Sequence, residues 1–206
     1  MRAQYKHNAM RHLRDVQMQR HSDVQRLQQA SLIERLLSEI RPEEVYSFDY
    51  LHRELVGSEP ERHAGEEFSA DDVRHDLGLI VEDLSDAANI TASAAGQRVL
   101  TVEELAQALN VSVKTISRWR RLGLVSRRFV FDGQKRLGFL ESSVRQFVRR
   151  NPEKVRRGAR FSQLSRDEEL ELIDRARQMA LAGGCPGKVA RDLADNTGRS
   201  VENMHI

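Results

Sequence analysis

The chain has 206 residues, 39 % of them hydrophobic and 31 % charged, with a formal net charge of +2, which allows one modest core or two or three small ones. No apolar run approaches the ~18 residues of a membrane-crossing helix, and the start MRAQYKHNAMRHLRD lacks the apolar stretch of a secretory signal, so a soluble cytoplasmic protein without a membrane partner is expected. Cys185 is the only cysteine, which excludes intrachain disulfides and zinc fingers with paired cysteines, and the seven histidines lack metal-ligand spacing.

Residues 1–40 have helical composition, with apolar positions from Leu13 to Ile40 that become more regular in the second half. There Ser31 and Glu34 have the spacing of a capping box, and Arg41-Pro42 ends the element. Ser47 can cap a helix from Phe48 to Val56 that Gly57 stops, and Glu59 to Glu67 reads as a loop. Ser69 caps the next helix. Asp71 and Asp72 suit its positive N-terminal end, and Val73, Leu77, Ile80, Val81 and Leu84 form its apolar stripe. Residues 1–86 are thus expected to form an acidic helical module, and the Ala/Ser/Thr-rich residues 87–97 a linker.

The most informative stretch is LTVEELAQALNVSVKTISRWRRLGLVSRRFVFDGQKRLGF, from Leu100 to Phe139. Thr101 and Glu104 make a capping box, and Val102, Leu105, Ala106 and Leu109 repeat on one helical face. After the turn Asn110-Val111, Ser112 can cap a second helix, from Val113 to about Arg121, that buries Val113, Ile116 and Trp119. Lys114, Ser117, Arg118 and Arg121 then share the opposite face, with Thr115 beside them. A major groove admits one helix and is read by such side chains, so Val102 to Arg121 reads as a helix-turn-helix with Ser112, Lys114, Thr115, Ser117, Arg118 and Arg121 at double-stranded DNA. Gly123 ends the helix. Two β-rich runs, Arg127 to Phe131 and Gln134 to Phe139, flank the hairpin signal Asp132-Gly133 and make a wing whose Lys135 and Arg136 can reach phosphates.

Glu141 to Arg150 follows as a short helix ended by Asn151-Pro152, which bounds a winged domain at 98–151. The basic connector 152–164 suits either a phosphate backbone or an exposed linker. Residues 165–206 outline a second helix-turn-helix. Ser165 and Glu168 cap its first helix, Gly183 to Gly187 break it, and Lys188 to Asp195 form the next. Ser200 caps a last helix from Val201, inside which the chain stops, so the segment is expected to be incomplete. The run ending Gly187-Lys188 is not a phosphate loop, because Ala182 and Val189 stand where Gly and Ser/Thr are required. No catalytic constellation and no Gly-rich strand-to-helix loop occurs, so neither an enzyme, a cofactor nor a small-molecule substrate is expected.

The charge is segregated: residues 31–96 carry five Lys/Arg and sixteen Asp/Glu, whereas residues 97–160 carry sixteen and five. A basic block centred on the winged motif is the footprint of a polyanion binder. The opposed blocks also predict that the acidic module docks on the basic face and competes with DNA.

The fold class expected is mainly α, in small helical modules with one winged helix-turn-helix bearing a β-hairpin. Leu100 to about Asn151 resembles the winged helix-turn-helix of mercury-resistance-type regulators and phage excisionases, with their T-x-x-E-L-A start, a helix ending in G-L and a basic wing. Trp119-Arg120 stands where those regulators carry paired tyrosines. More widely, the order of modules, with ARFSQLSRDEELELIDRAR and the late A-x-x-x-G-R-S-V-E-N, is similar to the front portion of bacterial RNA polymerase sigma factors of the sigma-seventy class. That resemblance implies transcription initiation with the RNA polymerase core as partner, from a truncated chain that lacks the aromatic helix used to melt promoters. A stand-alone regulator or excisionase-like architectural factor needs only the winged domain, and a protein-binding adaptor is the remaining rival.

Overall fold

The computed structural model describes residues 4–20, 22–160 and 166–197, and the chain divides into two compact units, Met1–Arg156 and Arg157–Ile206. The described residues are mainly helical, with one two-stranded and one three-stranded antiparallel sheet.

In the first unit, helices α1 (Asn8–Arg20) and α2 (Asp23–Glu39) precede two strand-to-helix segments, β1 (Val45–Ser47) with α3 (Phe48–Val56) and β2 (Glu67–Ser69) with α4 (Ala70–Ala88). In both segments the serine that ends the strand caps the helix: Ser47 Oγ accepts from the Tyr50 amide at 3.2 Å and Ser69 Oγ from that of Asp72 at 3.2 Å. The strands pair with Tyr46 opposite Phe68. The apolar stripe of α4 lies at the centre of the module, where Val73, Leu77, Ile80 and Leu84 are fully buried with Leu13, Ile33, Phe48 and Leu51. Buried Asp76 accepts from the Lys6 and His7 amides at 2.8 and 3.0 Å and so fixes the approach to α1.

The expected cap at Ser31 is corrected: α2 begins nine residues earlier in a capping box of Ser22 with Gln25, and Ser31 lies in mid-helix with its hydroxyl donating to Leu27 O at 3.0 Å. Residues 87–97 are likewise not a free linker. Ile90 O accepts from the Val130 amide at 2.9 Å, Thr91 bridges to Val130, and Ala92–Ala95 form a 3₁₀ turn. Their main-chain groups find partners on the wing strand, a pairing that small-residue composition does not announce.

The winged part comprises β3 (Val99–Thr101), α5 (Val102–Ala108), α6 (Val113–Arg121), β4 (Arg127–Phe131), β5 (Gln134–Leu140) and α7 (Glu141–Arg150), with strand order β3-β5-β4. Its core holds Leu105, Ile116, Trp119, Phe139 and Phe147, with the Trp119 and Phe147 rings 5.6 Å apart. Asp132 and Gly133 both have positive φ, 47° and 79°, as a type I′ hairpin turn requires. Gly138 lies where a Cβ would sit 2.6 Å from Val99 Cγ1 and 2.8 Å from Phe129 Cδ2, so the strands close over it only as glycine. Val113, expected to face inward, is 45 % exposed at the first helical position.

Most of the expected connector is also a helix, α8 (Pro152–Arg160): Pro152 ends α7 but fits the first position of the next helix, and Val155 packs on the winged core. In the second unit, α9 (Arg166–Leu181) and α10 (Pro186–Thr197) enclose a small core of Leu172, Ala176, Val189 and Leu193. The Ser165–Glu168 cap and the helix expected from Ser200 lie outside the described residues.

Candidate nucleic-acid interface

Helix α6 is fixed at its start by a cap and along its inner side by the core. Ser112 Oγ accepts from the Thr115 amide at 3.2 Å and lies 3.0 Å from Thr115 Oγ1, so two of the hydroxyls expected at DNA are engaged in starting the helix. Ile116 and Trp119 fix its inner side. Lys114, Ser117, Arg118 and Arg121 are exposed on the outer side, and none of the three cations pairs with a carboxylate among the described residues. The arginines of the last turn also complement the negative end of the helix dipole.

The structure separates the basic residues by what they touch. Arg120 turns inward, its Nε donating to Ser126 Oγ at 2.9 Å and its Nη2 to Glu82 of α4. Ser126 Oγ donates to the same Glu82 oxygen at 2.7 Å. Arg127 donates to Glu34 Oε1 at 2.6 Å and to Ser31 Oγ at 2.9 Å, and the Arg128 amide donates to Ser85 Oγ at 2.9 Å. On the wing, Lys135 Nζ lies 3.2 Å from Asp86 Oδ1 and donates to Asp86 O at 2.7 Å. Arg136 is exposed and touches Gln134 at 2.7 Å.

The acidic helices therefore do lie against the basic domain, but on its flank. The outer side of α6 stays open, while α4 holds Arg120, Arg128 and, of the expected DNA contacts, Lys135. Ser117 and Arg121 border a cavity of about 220 Å³ beside α4, floored by Leu37, Leu79 and Leu124. The inward arginines were indistinguishable in sequence from the outward ones except by helical phase: Arg120 falls beside Trp119, off the Lys114–Arg121 stripe.

Among the described residues, no cluster of three or more His, Cys, Asp or Glu side chains could hold a metal ion, and no helix is long and apolar enough to cross a membrane. No curated protein and no solved structure matches the chain. Residues 99–152 match the family model of a helix-turn-helix domain, from the first residue of β3 to the start of α8. The chain thus carries a DNA-binding helix-turn-helix domain.

Proposed function

We propose that the protein is a sequence-specific DNA-binding transcriptional regulator that reads the major groove with α6 and steadies the duplex with the wing. One observation supports this above the others: Lys114, Ser117, Arg118 and Arg121 project from one uncovered face of the second helix of a matched helix-turn-helix domain. In this reading Lys114 and Arg118 contact base edges, Ser117 and Arg121 support them, and Arg136 contacts a phosphate. Ser112 and Thr115 act through the helix start, which brings backbone amides toward a phosphate.

Selecting bound sequences from a random duplex pool tests the proposal. A defined consensus is expected, and Arg118→Ala should cost roughly 1–3 kcal/mol at one or two positions while relaxing preference there. An equal loss on every sequence would show that Arg118 contacts the backbone instead. Initiation together with RNA polymerase core is the narrower reading suggested by residues 159–177 and 188–203. We place it second, because the matched domain needs no polymerase to bind DNA. Co-purification with core polymerase in stoichiometric amount would reverse that order.

A further inference from the structure

We infer that the DNA site extends beyond α6 and the wing, along a cationic furrow between α2 and α7 that holds the phosphates of the flanking duplex; this rests on the regulator reading above. The cavity beside Ser117 and Arg121 adjoins a second, of about 250 Å³, through Arg74 and Gly123. The second adjoins a third, of about 580 Å³, through Gln146 and Arg150. The furrow therefore starts at the end of the reading helix and leads away from it. Along it stand Arg121, Lys154, Arg150, Arg149, Arg145 and Arg35, all exposed.

The acids near it are already engaged. Glu82 holds Arg120, Glu34 holds Arg127, and Asp71 holds Arg74 at 3.2 Å. Arg145 is paired with Glu141 at 2.7 Å and Arg150 donates to Ser38 O. Arg35 and Arg149 pair with no carboxylate among the described residues, and both line the third cavity. That cavity is lined by Arg, Ser, Gln and Glu side chains alone; the Ser31 and Ser143 hydroxyls donate to Leu27 O and Glu34, and exposed Ser142 stands beside the arginines. The apolar lining of the furrow, Leu37, Leu79 and Leu124 among it, lies toward α6; the third cavity offers a protein partner no apolar anchor. A sugar-phosphate backbone needs cations first, and this surface supplies them in Arg35, Arg145, Arg149 and Arg150, with the Ser142 hydroxyl beside them.

The test compares the full chain with Arg35→Gln/Arg149→Gln on two duplexes, the selected core and the same core extended by about one helical turn (~10 bp) on each side. The wild type should bind the extended duplex more tightly and with a steeper salt dependence. The double variant should lose that gain, its slope on the extended duplex falling in magnitude by about two units, while its affinity for the core stays unchanged. A variant that keeps the gain, or a wild type that shows none, overturns the inference and leaves the regulator reading standing. Absence of binding to the core duplex removes the regulator reading and this inference with it. Binding of poly-glutamate that the double substitution abolishes, without any length gain on DNA, would assign the furrow to a protein partner and overturn it too.

Discussion

Glu82→Ala is the most direct probe of how the acidic module and the winged domain are held together. One carboxylate oxygen serves both the Arg120 guanidinium and the Ser126 hydroxyl, and the Glu82 side chain is only 9 % exposed. Removing one partner of a buried ion pair costs about 3–5 kcal/mol, because the other charge is left without compensation. Arg120 keeps 26 % side-chain exposure and can partly rehydrate, which brings the expected cost down to ~2–3 kcal/mol. For a unit of this size that is roughly a 6–9 °C fall in Tm. Glu82→Gln keeps an acceptor for Ser126 and should cost about half as much. Thermal melts of Glu82→Ala, Arg120→Ala and the double variant close a cycle in which ~1–3 kcal/mol of coupling is expected. A coupling below ~0.5 kcal/mol would place the pair with exposed surface pairs and refute the reasoning. The DNA consensus should not change in any of the three, since the outer face of α6 is untouched.

The two wing cations should differ: Arg136→Ala should lower the magnitude of the salt slope by about one unit, whereas Lys135→Ala, whose charge Asp86 already offsets, should lower it less; equal effects in a salt titration would contradict this. Gly138→Ala should destabilise by roughly 1–3 kcal/mol through the contacts its Cβ would make with Val99 and Phe129, and an unchanged denaturation midpoint would mean that the strands can part without cost. Asp76→Ala leaves the Lys6 and His7 amides without their acceptor and should cost about 1–3 kcal/mol, read as faster amide exchange at the start of α1. Burial holds the Asp76 carboxyl above the usual range, so the folded state keeps its proton at a pH where the unfolded chain has lost it. Its contribution to stability therefore falls as pH rises through that window, and Asp76→Asn should flatten this part of the stability profile.

Much of the architecture was legible because it is specified locally. Ser47, Ser69, Thr101 and Ser112 each mark a helix start by a side chain that reaches an amide three residues on, and Asp132-Gly133 fixes the hairpin by its own dihedral preferences. Helical phase alone placed Lys114, Ser117, Arg118 and Arg121 together. Ser31 misled for an instructive reason: its spacing to Glu34 imitates a cap, yet both side chains are committed to Arg127, more than ninety positions away. The docking of α4 on Arg120, Arg128 and Lys135, and the pairing of Ile90 with Val130, likewise join distant parts of the chain, which no local pattern encodes. Pro152 read as a stop because a proline ends one helix and opens the next with the same geometry.

The short strap from Ile90 to Ala95 bears on solubility. In the order β3-β5-β4, the outer margin of β4 would present bare amides and carbonyls to any passing chain, the template on which sheets join and precipitate. Ile90 and Thr91 occupy that margin at Val130, between Phe129 and Phe131. A protease nick within the strap, or a fragment begun at residue 97 to isolate the winged part, would uncover it together with the flank that α4 shields, and so favour self-association.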